Sequence, residues 1–255
     1  MPANQRTVTA RRAESDQVLF RSHGSIGSFS QPVHCVAFPS DSKNNRVLID
    51  HDSKTLFFHI PKCAGHSVMR FFDRKVEPRP HCTPGDWIKQ DPSHADHFRD
   101  YFTFTLVRNP FTRAVSNFFY AKRQAQRLKD RGSAVTCPIR RFALEAPTFS
   151  AFVLQSDPFS LLDQIHFRPQ VKWLFYCQGH PVDYDYIGRV EELPDSLEPV
   201  RAHAGLTKKV PRVNQILDNP WNAYDSPDRD EVIDRIRRWY RLDFEVLAYS
   251  QDPAA

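Results

Sequence analysis

The run LFFHIPKCAGHSVMRFF, Leu56–Phe72, decides the fold. Leu56 to Ile60 is an almost unbroken apolar stretch, the pattern of a strand buried on both faces of a parallel sheet, and Pro61 ends it. From Ser67 to Phe72 the apolar residues Val68, Phe71 and Phe72 recur at spacings of three and four, the period of a helix laying one face on that sheet. Between strand and helix stand Lys62, Cys63, Ala64, Gly65, His66 and Ser67. A tight turn there gathers backbone N–H groups and the positive end of a helix dipole, a geometry that binds an anion. The turn is not the nucleotide-triphosphate loop GxxxxGK[ST]: Lys precedes Gly, the leading Gly is missing, and no strand-end Asp suits magnesium. A phosphate or sulfate ester held without metal fits better, although a Lys, a Gly and a Ser at such a turn can also be ordinary helix-start chemistry.

Working outward, TLVRNPFTRAVSNF (Thr105–Phe118) repeats the arrangement. The strand YFTFTLV, Tyr101 to Val107, stops at Arg108, where Asn109 as N-cap and Pro110 at the first helical position open a long helix. Phe111, Val115, Phe118 and Phe119 form its buried stripe, with Arg113, Ser116, Tyr120 and Arg123 on another. Arg108 offers a planar fork of donors and Ser116 a hydroxyl to a second anionic group. Two such junctions, each after a buried strand, call for a ligand with two separated anionic groups.

The rest of the 255 residues fits one α/β enzyme domain. Residues 1–45 read as a polar arm whose VHCVAF (Val33–Phe38) suggests a short strand, and 46–255 as a single domain. Val47–Asp50 and the strand from Thr55 flank HDSK as an edge hairpin. The Pro- and Gly-bearing stretch Pro78 to Pro92 reads as a loop. Residues 128–164, broken by Pro138, Pro147 and Pro158, read as an insertion walling the acceptor side. Tyr184 to Val190 makes a third strand, a helix with its stop at Gly205 follows, and Ser226–Pro227 opens a last helix bearing Val232, Ile236, Trp239 and Tyr240.

With 40% hydrophobic and 25% charged residues, wholesale disorder, collagen and coiled coil are excluded. No run nears the roughly 18 apolar residues of a membrane span, and no apolar core follows the basic N-terminal residues as a secretory signal requires. The five cysteines (Cys35, Cys63, Cys82, Cys137, Cys177) lack zinc or CxxC spacing and read as reduced thiols of a cytoplasmic protein. Thirty-five Lys and Arg against 30 Asp and Glu leave +5, which favours anionic partners. The basic residues are scattered rather than grouped with aromatics, and the one dense run, Lys122 to Arg131, reads as a solvated helix face, so nucleic acid is not expected.

HIPKCAGHS with FTLVRNPFTRAVSNF resembles the two donor-binding loops of sulfotransferases that use 3′-phosphoadenosine 5′-phosphosulfate (PAPS), in the carbohydrate-type branch with HIPKTAGTS and VRNPYDRLVSAY. The likeness continues in order through HFRPQ (His166–Gln170), YDYIGRVEEL (Tyr184–Leu193), VPRVNQ (Val210–Gln215) and WYRLDFEVLAY (Trp239–Tyr249). It implies a three-layer, P-loop-like α/β fold with a central, mostly parallel sheet flanked by helices. It also implies in-line sulfuryl transfer to an acceptor hydroxyl on a carbohydrate or small natural product, with 3′-phosphoadenosine 5′-phosphate (PAP) as product and no metal. By the same likeness Lys62 touches the bridging and 5′-phosphate oxygens, residues 63 to 67 cradle the 5′-phosphate, and Arg108 with Ser116 takes the 3′-phosphate. Cys63 and His66 stand where the family usually has Thr, which leaves the hydroxyl role to Ser67. The setting expected for such a chain without a membrane anchor is a bacterial cytoplasm.

The general base is expected among the histidines, whose ordinary pKa near 6.5 suits proton abstraction at neutral pH. His94 is the first choice and His97 the second, because by the same likeness PSHADHF, just ahead of the Arg108 strand, is the region where the family often carries a His facing the donor sulfate. His166 is read as orienting the acceptor, His66 as touching phosphate and His59 as a packed structural residue. Arg189, Glu191 and Asn214 are expected to be structural or peripheral. Three alternatives stay open from the residues: a P-loop kinase-like phosphotransferase needing ATP and magnesium, a basic nucleic-acid-binding module with a steep salt dependence, and an inactive scaffold that binds PAP without turnover.

Overall fold

The computed structural model describes residues 47–72, 81–175, 181–210 and 220–253. The chain divides into two units, Met1–Pro39 and Ser40–Ala255, and every described residue belongs to the second. The expected arm with VHCVAF, Cys35, Cys177 and Asn214 lie outside the described residues.

The strands follow from the apolar runs. β1 (Val47–Asp50) pairs antiparallel with β2 (Thr55–Phe58), and every residue of both is buried. β3 (Phe102–Val107) lies parallel to β2 with Phe58 opposite Thr105, and β4 (Tyr186–Arg189) lies parallel to β3 with Val107 opposite Arg189. The order β1-β2-β3-β4 gives a mostly parallel α/β sheet with helices about it, as the sequence implied. Parallel strands end together, so the loops after Phe58, Val107 and Arg189 emerge at one edge.

Those loops lead into α1 (Gly65–Phe72) and α4 (Pro110–Asp130). The Asn109 side chain accepts from the N–H groups of Phe111 and Thr112, and Pro110 sits at the start, so the predicted cap is present. Phe57, Phe72 and Phe104 stack at 4.7–6.4 Å between α1 and the sheet. In the insertion, α5 (Pro138–Glu145), α6 (Phe149–Gln155) and α7 (Pro158–Asp163) are short, and Pro138 and Pro158 each open a helix. This segment also fills the core: Phe149, Phe152 and Leu161 are buried, α5 packs along α4, and α6 packs on α9 (Arg229–Trp239). Gly205, with φ of 62°, ends α8 (Glu198–Ala204) in the left-handed cap that glycine favours. The chain closes through α10 (Arg241–Val246).

One expectation is corrected. The Pro78–Pro92 stretch is not a loop throughout, because α2 (Pro84–Gln90) occupies its centre, with α3 (His97–Asp100) just beyond. Thr83 and Asp86 form a reciprocal capping box, and Pro84 and Gly85 occupy the first positions, where no intrahelical N–H bond is lost. Trp87 then buries its whole side chain edge-on to Phe58, 5.4 Å between ring centres.

The capping box is a test of that correction. Thr83→Ala should lower unfolding stability by about 1 kcal/mol, with Thr83→Ser restoring most of it, measured by denaturant titration. Equal stability of all three chains would mean that α2 does not depend on its cap.

Candidate functional site

The first junction is built from strained backbone. Lys62 and Ala64 have φ of 69° and 56°, left-handed values that cost a non-glycine residue about 1–2 kcal/mol each. Hydrogen bonds hold the turn: Cys63 N–H donates to the Ile60 carbonyl at 3.1 Å, and the N–H groups of Ser67 and Val68 to the Ala64 carbonyl at 2.8 and 3.2 Å. Gly65 is dictated by contact, since a Cβ there would stand 2.1 Å from the His59 ring. His59 is buried under the turn, the structural role read for it.

The residues of this first turn separate by burial. His66 is exposed, Lys62 and Ala64 are partly so, and Ser67 is buried in the first turn of α1. Cys63 is fully buried and turned away from the loop surface, its Sγ 3.3 Å from Gln170 Oε1. Burial pushes its thiol up to about 12, so it stays protonated and gives the loop backbone only. Among the described residues Cys63, Cys82 and Cys137 are free thiols.

The second junction lies against the first. Arg108 Nη1 donates to the Lys62 carbonyl at 3.3 Å and Nε to Thr112 Oγ1 at 3.1 Å. Burial lowers the Arg108 pKa from an ordinary value so high that the guanidinium stays charged. Ser116 is buried on α4.

Two buried side chains join the loops. Gln170 Oε1 accepts from Arg108 N–H at 2.9 Å, and Gln170 Nε2 donates to the Arg108 carbonyl at 2.7 Å. Asp243 of α10 accepts in turn from the N–H groups of Gln170 and Val171 at 2.8 and 2.9 Å. Arg113, only 1% exposed, donates to the carbonyls of Pro61 (3.1 Å), His166 (3.1 Å) and Arg168 (3.0 Å). The sequence had set Arg113 on a stripe of its helix apart from the buried apolar one. It is buried because segment 166–168 covers that stripe, and its acceptors are backbone carbonyls, which leave no mark in a residue pattern. Glu191 accepts from Asn109 N–H at 2.8 Å and from the Tyr249 hydroxyl at 3.0 Å, while Arg189 donates to the Leu247 carbonyl at 2.8 Å.

The histidines sort into two groups. His94 stacks on Trp87 at 4.2 Å and its Nδ1 lies 2.9 Å from the Trp87 carbonyl oxygen. His97 meets Tyr101 at 4.9 Å and His51, in the β1–β2 turn, at 6.4 Å. Tyr101 and His51 mark the starts of β3 and β2, whereas Lys62 and Arg108 follow their ends. Seven residues of extended chain from Tyr101 to Arg108 span about 23 Å. Trp87 packs against both His94 and His97 and, at 5.4 Å, against Phe58, the last residue of β2.

At the loop edge the structure gathers His59, His81 and His166. His81 lies 4.7 Å from His59 and 5.5 Å from His166, ring centre to ring centre, and His166 stacks on Tyr120 at 5.0 Å. Lys62 Nζ sits over the same Tyr120 ring at 4.5 Å. Burial, then the charges of His81, Arg140, Lys62 and Arg113, hold His166 well below the usual histidine pKa. His81 was missed because it stands in a Pro-rich run with no periodicity to mark it.

A model of the sulfotransferase family matches residues 45–250. The chain belongs to the sulfotransferase family. No curated protein and no solved structure matches it. Sulfuryl transfer is thus the chemistry of the family in which this geometry occurs, and neither the phosphotransferase nor the nucleic-acid reading gains support from the match. Among the described residues no helix is long and apolar enough to cross a membrane, and no group of three or more His, Cys, Asp or Glu is placed to hold a metal ion.

The depressed His166 fixes a pH dependence. Below about pH 6.5 the unfolded chain takes up a proton there that the folded chain refuses, so stability falls as pH drops through that value. His97, lowered by burial and by His94 and His51, acts in the same direction, while Asp243, raised by burial, opposes both at lower pH. The melting temperature of this sulfotransferase should fall between pH 7.5 and 5.5, and less steeply in His166→Asn; identical slopes in both chains would refute the His166 contribution.

Proposed function

We propose that this sulfotransferase moves the sulfuryl group from PAPS to a hydroxyl of a carbohydrate or small natural product by in-line displacement. The observation that carries the reading is the meeting of two cation-bearing strand ends, with Arg108 Nη1 bonded to the Lys62 carbonyl at 3.3 Å. That spacing suits one ligand with two anionic groups. The donor residues fit: a left-handed turn entering a helix N-terminus, a lysine, an arginine with N–H groups uncommitted among the described residues, and Ser67 and Ser116.

In this reading the backbone of residues 63–67 and the Ser67 hydroxyl hold the 5′-phosphate, and Arg108 with Ser116 holds the 3′-phosphate. PAPS supplies an activated sulfur bonded to a phosphate oxygen. The acceptor oxygen forms the new bond to sulfur as the bridging S–O bond breaks, and Lys62 neutralises charge developing on the departing phosphate oxygen. His81 receives the acceptor proton. Of the three rings near Lys62, His59 is locked beneath Gly65 and His166 is depressed among cations, whereas His81 is partly exposed and borders both. Catalysis is then mainly positioning plus electrostatics. The 128–164 insertion, leading through α7 into His166, forms the acceptor wall.

The reading is tested with PAP and PAPS. At about 100 times its dissociation constant PAP should stabilise the fold by roughly 2.7 kcal/mol in a thermal-shift assay. Lys62→Ala should lower kcat by about 10²–10³ with much less effect on PAP affinity. Arg108→Ala should erase the preference for PAP over its analogue lacking the 3′-phosphate, each lost charged hydrogen bond being worth roughly 1.5–3 kcal/mol. Discrimination that survives in Arg108→Ala would overturn the 3′-phosphate assignment.

A further inference from the structure

We infer that Tyr120 is a positioning residue for sulfuryl transfer, its ring face setting the direction of the Lys62 ammonium and holding His166 beside it. The inference rests on the reaction proposed above and assigns a role that neither donor loop supplies. Tyr120 lies two turns after Arg113 on α4, on the same helix face. Residue 166 is therefore gripped twice by one helix: Arg113 Nη2 holds its carbonyl at 3.1 Å, and the Tyr120 ring stacks on its imidazole at 5.0 Å and 25°. The Lys62 Nζ stands over that ring at 4.5 Å, the geometry of a cation–π contact.

The Lys62 backbone is fixed at a left-handed φ, and its ammonium, at the end of a four-carbon stem, is placed by what that end touches, the Tyr120 ring among its contacts. A ring face holds an ammonium without forming a hydrogen bond to it, so the three N–H donors of Lys62 are not consumed by Tyr120. The Tyr120 hydroxyl makes no hydrogen bond among the described residues, which leaves the π face as the working part of the side chain. The same ring keeps His166 at the edge of the His81 imidazole, so cation and base share one aromatic support.

The test reads the contact and the chemistry separately. Lysines of the whole chain are reductively dimethylated with ¹³C, which keeps their charge, and the Lys62 signal is assigned by its loss in Lys62→Arg. It should be shifted upfield by the ring in the wild type and in Tyr120→Phe, and should return to the position of the other lysines in Tyr120→Leu. In steady-state kinetics Tyr120→Leu should lower kcat about 5- to 30-fold, the range of a cation–π contact, with the KM for PAPS and the Kd for PAP within about threefold. Tyr120→Phe should keep kcat within about twofold. Tyr120→Met replaces Tyr120→Leu in both measurements if the leucine chain does not fold. An unshifted Lys62 signal in the wild type, an unchanged kcat in Tyr120→Leu, or equal losses in the leucine and phenylalanine chains overturns the role. A wild-type chain that neither binds PAP nor consumes PAPS overturns the reaction and this role together, whereas an active wild type with an indifferent Tyr120→Leu overturns the role alone.

Discussion

Two buried side chains, Arg113 and Gln170, fix the distance between the strand-end loops, and the site depends on that distance. Arg113 reaches from α4 to the carbonyl that begins the first turn, and Gln170 pairs with both backbone groups of Arg108 while accepting the Cys63 thiol. Each is nearly or wholly excluded from water, where a lost partner leaves a desolvated polar group costing about 1–3 kcal/mol. Neither needs to touch a ligand to affect whether the proposed donor's two anionic groups are held at once. Asp243 extends the constraint into α10, so the C-terminal helix stabilises loops at the opposite end of the sequence.

The same lattice explains how the first turn keeps its strain. Two left-handed non-glycine residues persist only where their surroundings leave no easier conformation. The Pro61 carbonyl is held by Arg113 and the Lys62 carbonyl by Arg108, while the His59 ring fills the space beneath Gly65. Strain and bracing form one device that fixes the backbone from which the partly exposed Lys62 reaches the Tyr120 ring.

Much of this was legible in the residues. The apolar run into Pro61, the Asn109–Pro110 start and the Gly205 stop carry local signals that survive folding, because each depends on chain neighbours alone. The strand-end positions of Lys62 and Arg108 were legible for the same reason. Where contacts are made by backbone carbonyls or between distant segments, the pattern is mute. Arg113 stood off the apolar stripe, and its burial depends on segment 166–168, which lies over it, while His81 carried no signal at all. Pro84 and Gly85 read as breakers because the capping box that makes them a helix start depends on a side-chain pair, Thr83 and Asp86.

The most direct test of the bracing is PAP affinity, measured by titration calorimetry, in the wild type and in Gln170→Met, with folding of both verified by circular dichroism. Gln170 is fully buried and bonded only within the protein lattice, so any loss of affinity reports loop spacing rather than a ligand contact. The account predicts that a folded Gln170→Met chain binds PAP about tenfold or more weakly. Undiminished affinity in that chain would contradict the claim that buried cross-links set the geometry of the site.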